Sequence, residues 1–202
     1  MRLYNSRPYK QCRLKKTSFM GMTLIEVLVA LFILSTGILG AVAMQASAKK
    51  GSFDAMQRSL ASSLAQDIIE RMRSNNANSA SGILDGYNGL NYGRGELAEL
   101  NENQRCNSPA SLCSAEALRA NDLYEWELSL MGANVKNGDV GNGGLVGVTG
   151  CIKHTNNVVL VAISWQGKEK TSDGASNDTF GGDCGTNNDK QRRQIVVEAF
   201  IN

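Results

Sequence analysis

The chain has 202 residues, enough for one modest globular domain plus an extended N-terminal segment, and its net charge is only +2. That small charge hides an asymmetry: residues 1–21 hold Arg2, Arg7, Lys10, Arg13, Lys15 and Lys16 with no acid, leaving 15 bases against 19 acids in the remainder. A mildly acidic remainder lacks the clustered Lys and Arg that phosphate binding needs, which excludes nucleic acid as the main partner.

The basic leader ends at Gly21 and is followed by Met22-Thr23-Leu24-Ile25-Glu26, then by 18 residues without a formal charge, Val27 to Met44. That length is near the lower limit for spanning a bilayer as a helix, and the preceding basic flank would hold its own end on the cytoplasmic side. Glu26 is the exception in the run. A carboxylate inside an apolar segment is expensive and has a functional reason in most cases. Gly37 and Gly40 weaken the ladder without forbidding a membrane helix. Phe53, Met56, Leu60, Leu64, Ile68 and Met72 then recur at three- and four-residue spacing, so the helix continues as an amphipathic stretch. It should end near Arg71-Met72-Arg73, where cations suit a C-terminus, before Ser74-Asn75-Asn76-Ala77-Asn78-Ser79. One helix from Thr23 to Ser74 would be roughly 75 Å long.

Residues 76–113 are rich in Gly, Asn and Ser and read as loop. Residues 114–131 read as a second helix that buries Leu118, Leu123, Trp126 and Leu130. Gly and Asn dominate 132–144. Three strands follow, Leu145–Lys153, Val158–Trp165 and Arg193–Ile201, the first two joined by a turn at Thr155-Asn156-Asn157. Residues 166–192 read as a polar loop. The expected class is α+β: a long N-terminal helix packed on a small antiparallel sheet. The expected division is a leader at 1–21, a helix at 22–75 with its membrane-spanning part at 23–44, and a globular head at 76–202.

Five cysteines are present. Cys12 lies in the leader, while Cys106, Cys113, Cys151 and Cys184 lie beyond the apolar run. An even number in an exported domain points to two disulfides. Three connectivities are open, and the local pairing Cys106–Cys113 with Cys151–Cys184 is favoured because each pair brackets a loop-like stretch. Zinc is disfavoured, since there is no Cys-x-x-Cys and His154 is the only histidine. Asp173, Asp178, Asp183 and Asp189 do not follow the calcium-loop spacing and read as a solvated loop, so no metal or other cofactor is expected. His154 has no companion nucleophile motif and reads as a satisfied surface or turn residue. Trp126 and Trp165 read as core aromatics.

The leader, the glycine, the order Gly-Met-Thr-Leu-Ile-Glu-Val-Leu and the apolar run resemble the N-terminal segment of type IV pilins and type II secretion pseudopilins. An ordinary secretory signal is the rival, and Ala41-Val42-Ala43 fits its cleavage pattern, but such a signal gains nothing from Glu26. The resemblance implies that prepilin peptidase, a separate membrane enzyme, cleaves between Gly21 and Met22 and that Met22 becomes N-methylated. Most family members have Phe at that position. Glu26 would then pair with a neighbouring subunit's N-terminal ammonium and set the axial register of assembly. Leu64 to Asn75, Asp122-Leu123-Tyr124-Glu125-Trp126 and Val161-Ala162-Ile163-Ser164-Trp165 are similar to the minor pilin PilV family, whose frequent Leu-Pro-Gly is replaced here by Met131-Gly132-Ala133. This resemblance implies a non-enzymatic subunit of a type IV pilus (fimbrium), held in the inner membrane by a single pass with a periplasmic head. It would prime pilus assembly with other minor pilins, the major pilin and a tip adhesin, and support adhesion and twitching motility. The alternatives are a type II secretion pseudopilin, which shares leader and helix, and a membrane-anchored periplasmic protein of another function, for which no nucleophile or metal cluster is evident.

Overall fold

The computed structural model describes residues 21–77, 82–94, 105–107, 113–133, 135–137, 140–141, 143–171, 179–186 and 189–202. The chain divides into two units, residues 1–45 and 46–202. Helix α1 (Leu24–Ala77) begins in the first and ends in the second. In the first unit, none of the described residues is buried.

The second unit is α+β, as the sequence implies. Four antiparallel strands lie in the order β1 (Gly89–Tyr92), β4 (Thr149–Thr155), β5 (Val158–Gln166), β6 (Arg192–Phe200). A separate two-stranded ladder joins β2 (Lys136–Asn137) to β3 (Val140–Gly141). Helix α2 (Ala115–Met131) precedes that ladder, and a short α3 (Thr179–Asp183) lies between β5 and β6. The β4–β5 hairpin is closed by the pair Thr155–Val158. Its turn places Asn156 at a φ of 56°, a left-handed conformation that asparagine tolerates better than most residues.

Alternation along β5 fixes the layers. Val159, Val161, Ile163 and Trp165 face one core with Ile152, Val197 and the buried stripe of α1, which includes Ala61, Leu64, Ala65, Ile68 and Met72. Ala162 faces the other side, in a smaller cluster with Cys151, Cys184 and Phe180. Helix α2 lays Trp126 and Leu130, both fully buried, into the first core. Its N-terminus is capped by Ser114, whose side chain accepts the Ala117 N–H, and it stops at Gly132, which adopts a φ of 69°.

Several expectations need correction. Met56 is exposed, and the α1 stripe turns Gln57 inward instead. Gln57 donates through Nε2 to Gly144 O and accepts the Val146 N–H at 3.2 Å, so the segment before β4 is held by a glutamine amide. Strand β4 therefore starts at Thr149 and not at Leu145. Leu118 and Leu123 are only half-buried, while Asn121, Asp122 and Glu127 are buried on α2. The stretch 76–113 is not all loop: it contains a 3-10 turn at Ile83–Tyr87 and strand β1, and α3 interrupts 166–192. Asp173, Asp178, Cys12 and the leader before Gly21 lie outside the described residues.

Two glycines give opposite expectations. A Cβ on Gly150 would sit 2.7 Å from Trp126 Cη2 and 3.0 Å from Leu130 Cδ1, because β4 packs directly under the side chains of α2. One on Gly51, in the middle of α1, would meet nothing within 4 Å. Gly150→Ala should lower stability by about 1–3 kcal/mol through overpacking. Gly51→Ala should raise it by about 0.5–1 kcal/mol through helix propensity. Thermal unfolding followed by circular dichroism distinguishes the two.

Candidate functional site

The N-terminal segment is organised around the start of α1. Gly21, Met22 and Thr23 are non-helical, and the helix starts at Leu24. Thr23 accepts the Glu26 backbone N–H on its hydroxyl at 3.4 Å, and its carbonyl accepts the Val27 N–H at 3.3 Å. Thr23 and Glu26 are thus the N-cap and third residue of an S/T-x-x-E capping sequence, and an acid in the first turn also suits the helix dipole. The observed bond uses the Glu26 backbone N–H, and among the described hydrogen bonds its carboxylate makes none. Its carboxylate is exposed, as is the glycine preceding Met22, around which a Cβ would meet nothing.

Behind Glu26 the helix is apolar on all sides. Leu24, Ile25, Leu28, Phe32, Leu34 and Leu39 are each more than half exposed. The most apolar 18-residue window of α1 has no part buried within the protein, and this is the one candidate membrane-spanning helix among the described residues. It is compatible with a single-pass membrane protein. The polar side chains of the segment are satisfied locally. Ser35 donates to Phe32 O at 2.9 Å, and Thr36 donates to Phe32 O and Ile33 O. Hydroxyls turned back onto the helix in this way do not add a solvation cost in an apolar setting.

A second constellation, absent from the sequence reading, joins α1 to α2. Arg71 donates through Nε to Asp67 Oδ2 at 3.0 Å, and through Nη1 to Glu125 Oε2 at 2.9 Å and Asp122 Oδ1 at 3.3 Å. Tyr87 donates to Asp122 Oδ2 at 2.9 Å and accepts from Asn75, which also donates to Ala115 O. Trp126 Nε1 donates to Leu64 O at 2.9 Å. Arg105 reaches Glu125 and Asn121, and Asn121 also accepts the Cys106 N–H. Burial alone would pull the Arg71 guanidinium down, but its hydrogen bonds to Glu125, Asp67 and Asp122 hold it above its ordinary value. Burial pushes Asp122 up despite Tyr87 and Arg71. Burial also opposes ionisation of Glu125, yet the Arg71 hydrogen bond and charge outweigh it and hold Glu125 low. Burial raises Tyr87, and it lifts Tyr92 to about 12 with help from the Glu127 charge. The i, i+4 pair Asp67–Arg71 and the i, i+3 pair Asp122–Glu125 were visible signals for this cluster.

The cysteines are paired as Cys106–Cys113 and Cys151–Cys184. The first loop hangs from α2 through Asn121, and the second ties the segment after α3 to β4. No group of three His, Cys, Asp or Glu that could hold a metal occurs among the described residues. His154 is not a surface residue: its ring is largely buried, Nδ1 lies 2.6 Å from Asp85 Oδ1, and Nε2 is buried without a partner. Nothing nucleophilic adjoins it among its hydrogen-bond partners.

Glu125 gives a test of the α1–α2 seam. Its folded pKa is depressed, so its contribution is present above the unfolded value of about 4.3 and is lost as pH falls through the lower folded value. Glu125→Gln should therefore destabilise the protein at pH 7, with the gap to the parent closing below about pH 4. Urea unfolding at a series of pH values measures that gap.

Compared with protein-family models, curated proteins and solved structures, the chain matches none.

Proposed function

We propose that this chain is a minor pilin of a type IV pilus, of the PilV kind. It is made with a leader that prepilin peptidase removes between Gly21 and Met22, and it is then N-methylated on Met22. It resides in the inner membrane through residues 23–44 and takes part in priming assembly beside other minor pilins and the major pilin. The observation that carries the reading is the unburied apolar start of α1 with a single acid, Glu26, in its first turn directly after Gly21-Met22. Such a surface needs lipid or other apolar helices to cover it.

The mechanism is association, not catalysis. Cleavage would create an ammonium at Met22, one turn from Glu26. In lipid an unpaired carboxylate costs several kcal/mol, so a neighbouring subunit's ammonium is the natural counter-charge, and the pair fixes how far one helix is displaced along the next. The Thr23 cap supports this by holding the Glu26 backbone at the helix start. The type II secretion pseudopilin is the second reading, favoured by the same leader and helix. The disulfide-tethered head favours the pilus reading over it.

Processing is checked by mass spectrometry of membrane-extracted protein, which should yield a peptide starting at methylated Met22. A mature terminus at Met44, after Ala41-Val42-Ala43, would establish a secretory signal instead. Glu26→Gln should leave insertion, cleavage and head folding intact, because the side chain has no partner in the head. Surface pili and co-purification with other minor pilins should fall sharply. Normal pilus number with this variant as the sole copy would refute the ion-pair mechanism.

A further inference from the structure

The head contains a cavity of about 500 Å3 that no part of the assembly reading uses. It lies where β1 has ended and β4 and β5 continue, beside the C-terminal end of α2. Its size falls in the range of small-molecule sites. Its apolar lining is Met131, Leu145, Val148 and Trp165. The floor carries the hydroxyl residues Thr149 and Ser164 beside Gly185. The mouth is polar: Arg94, Gln166, Thr186 and Asp189.

Part of the rim is tied down, at Gly93 and at residues 181–185. Gly185 directly follows Cys184, which is bonded to Cys151 of β4. Gly185 adopts a φ of 94°, and a Cβ there would stand 2.4 Å from Ser164 Oγ, so the segment lies tight on the sheet. Arg192 is engaged with the carbonyls of Gly182 and Cys184, and Gln194 Nε2 donates to Gly181 O at 2.7 Å. On the opposite side, Gly93 gives its N–H to the buried Glu127 carboxylate at 3.1 Å. A site whose rim is partly held by a disulfide and buried hydrogen bonds loses less entropy when it binds.

The lining selects the chemistry of the occupant. An anion would face Asp189, and a cation would face Arg94 and Arg192. Arg192, the second cation of the lining, already gives its Nη1 to the Gly182 and Cys184 carbonyls. An apolar molecule would strip water from Arg94, Gln166 and Asp189 with nothing in return. A neutral molecule with one apolar face and many groups that both donate and accept meets all of these conditions. We propose that this cavity binds a saccharide, with the C–H face of a pyranose ring against Met131, Leu145 and Val148. Its hydroxyls would donate to Asp189 and accept from Arg94 and Gln166. The volume holds roughly one or two sugar rings. This site stands or falls independently of how the N-terminal segment is used.

The test is saturation-transfer NMR on the full chain in a sugar-free zwitterionic detergent, with glucose, galactose, N-acetylglucosamine and lactose as probes. At least one should bind with a Kd of about 1 mM, as befits a small polar ligand. Thr186→Arg, at an exposed mouth position, should keep the far-ultraviolet circular dichroism spectrum and weaken binding by about tenfold or more. Reduction of Cys151–Cys184 should weaken it as well, since the Gly185–Thr186 rim depends on that bond. The proposal is overturned if no probe responds at about 50 mM, well above the expected Kd. Unchanged affinity in Thr186→Arg, or tighter binding of glutamate or choline than of any saccharide, would overturn it too.

Discussion

A single helix in this chain has two different surfaces to satisfy. From Gln57 to Asn75, α1 turns a residue inward at every third or fourth position and buries it in the head. From Leu24 to Met44, the same helix offers apolar side chains in every direction and buries none of them within the protein. At about 25 cal/mol per Å2 of apolar surface, leaving so many Leu, Ile, Val and Phe side chains in water is unfavourable enough to demand a cover. The polar groups of the segment agree with an apolar cover. Ser35 and Thr36 spend their hydroxyls on carbonyls of the preceding turn. Only the Glu26 carboxylate is left without a partner in the described hydrogen bonds of that segment. In the proposed role, that carboxylate would be the handle by which a neighbouring subunit recognises the segment.

The head answers a different demand. Its sheet and α1 are joined by apolar packing, which is non-directional and tolerant of small shifts. The seat of α2 is directional. Trp126 donates to a carbonyl of α1, and Arg71 is shared by Asp67, Asp122 and Glu125. Asn75 bridges Tyr87 and the first residue of α2. Buried ionic groups are weak contributors to net stability, but they penalise every alternative docking of α2 that would leave one of them unpaired. Asp122 is nonetheless pushed up, because its burial outweighs its bonds to Tyr87 and Arg71, whereas Arg71 holds Glu125 low against its own burial.

Much of this was legible in the residues. The long helix, α2 and the β5 and β6 strands have strong periods, and their ends fall within a few residues of the expected ones. What was missed has a common cause. Strand β1, the 3-10 turn and α3 are four or five residues long, too short to express a period, and they owe their form to neighbours distant in sequence. Leu90 pairs with Cys151, 61 positions on, and no local signal announces that. The buried polar face of α2 was missed because hydrophobic periodicity assigns Asn121, Asp122 and Glu127 to solvent. Only their partners on α1, on the 3-10 turn, at Gly93 and at Arg105 and Cys106 reverse that. In the N-terminal segment, the motif was plain, but the Thr23–Glu26 cap emerges only when the helix start is known.

In the proposed role, the two surfaces would also divide the work of recognition. An apolar stretch with a single acid can fix displacement along a neighbouring helix, yet it offers almost nothing to distinguish one such neighbour from another. Apolar contacts are tolerant, and a single ion pair specifies one coordinate. Choice of partner would then fall to the head. Its exposed groups are varied, and two disulfides, Cys106–Cys113 and Cys151–Cys184, cross-link it. A rigid, individual head on a generic anchor is the arrangement expected of a subunit present among similar ones, where the anchor is shared and the head confers identity.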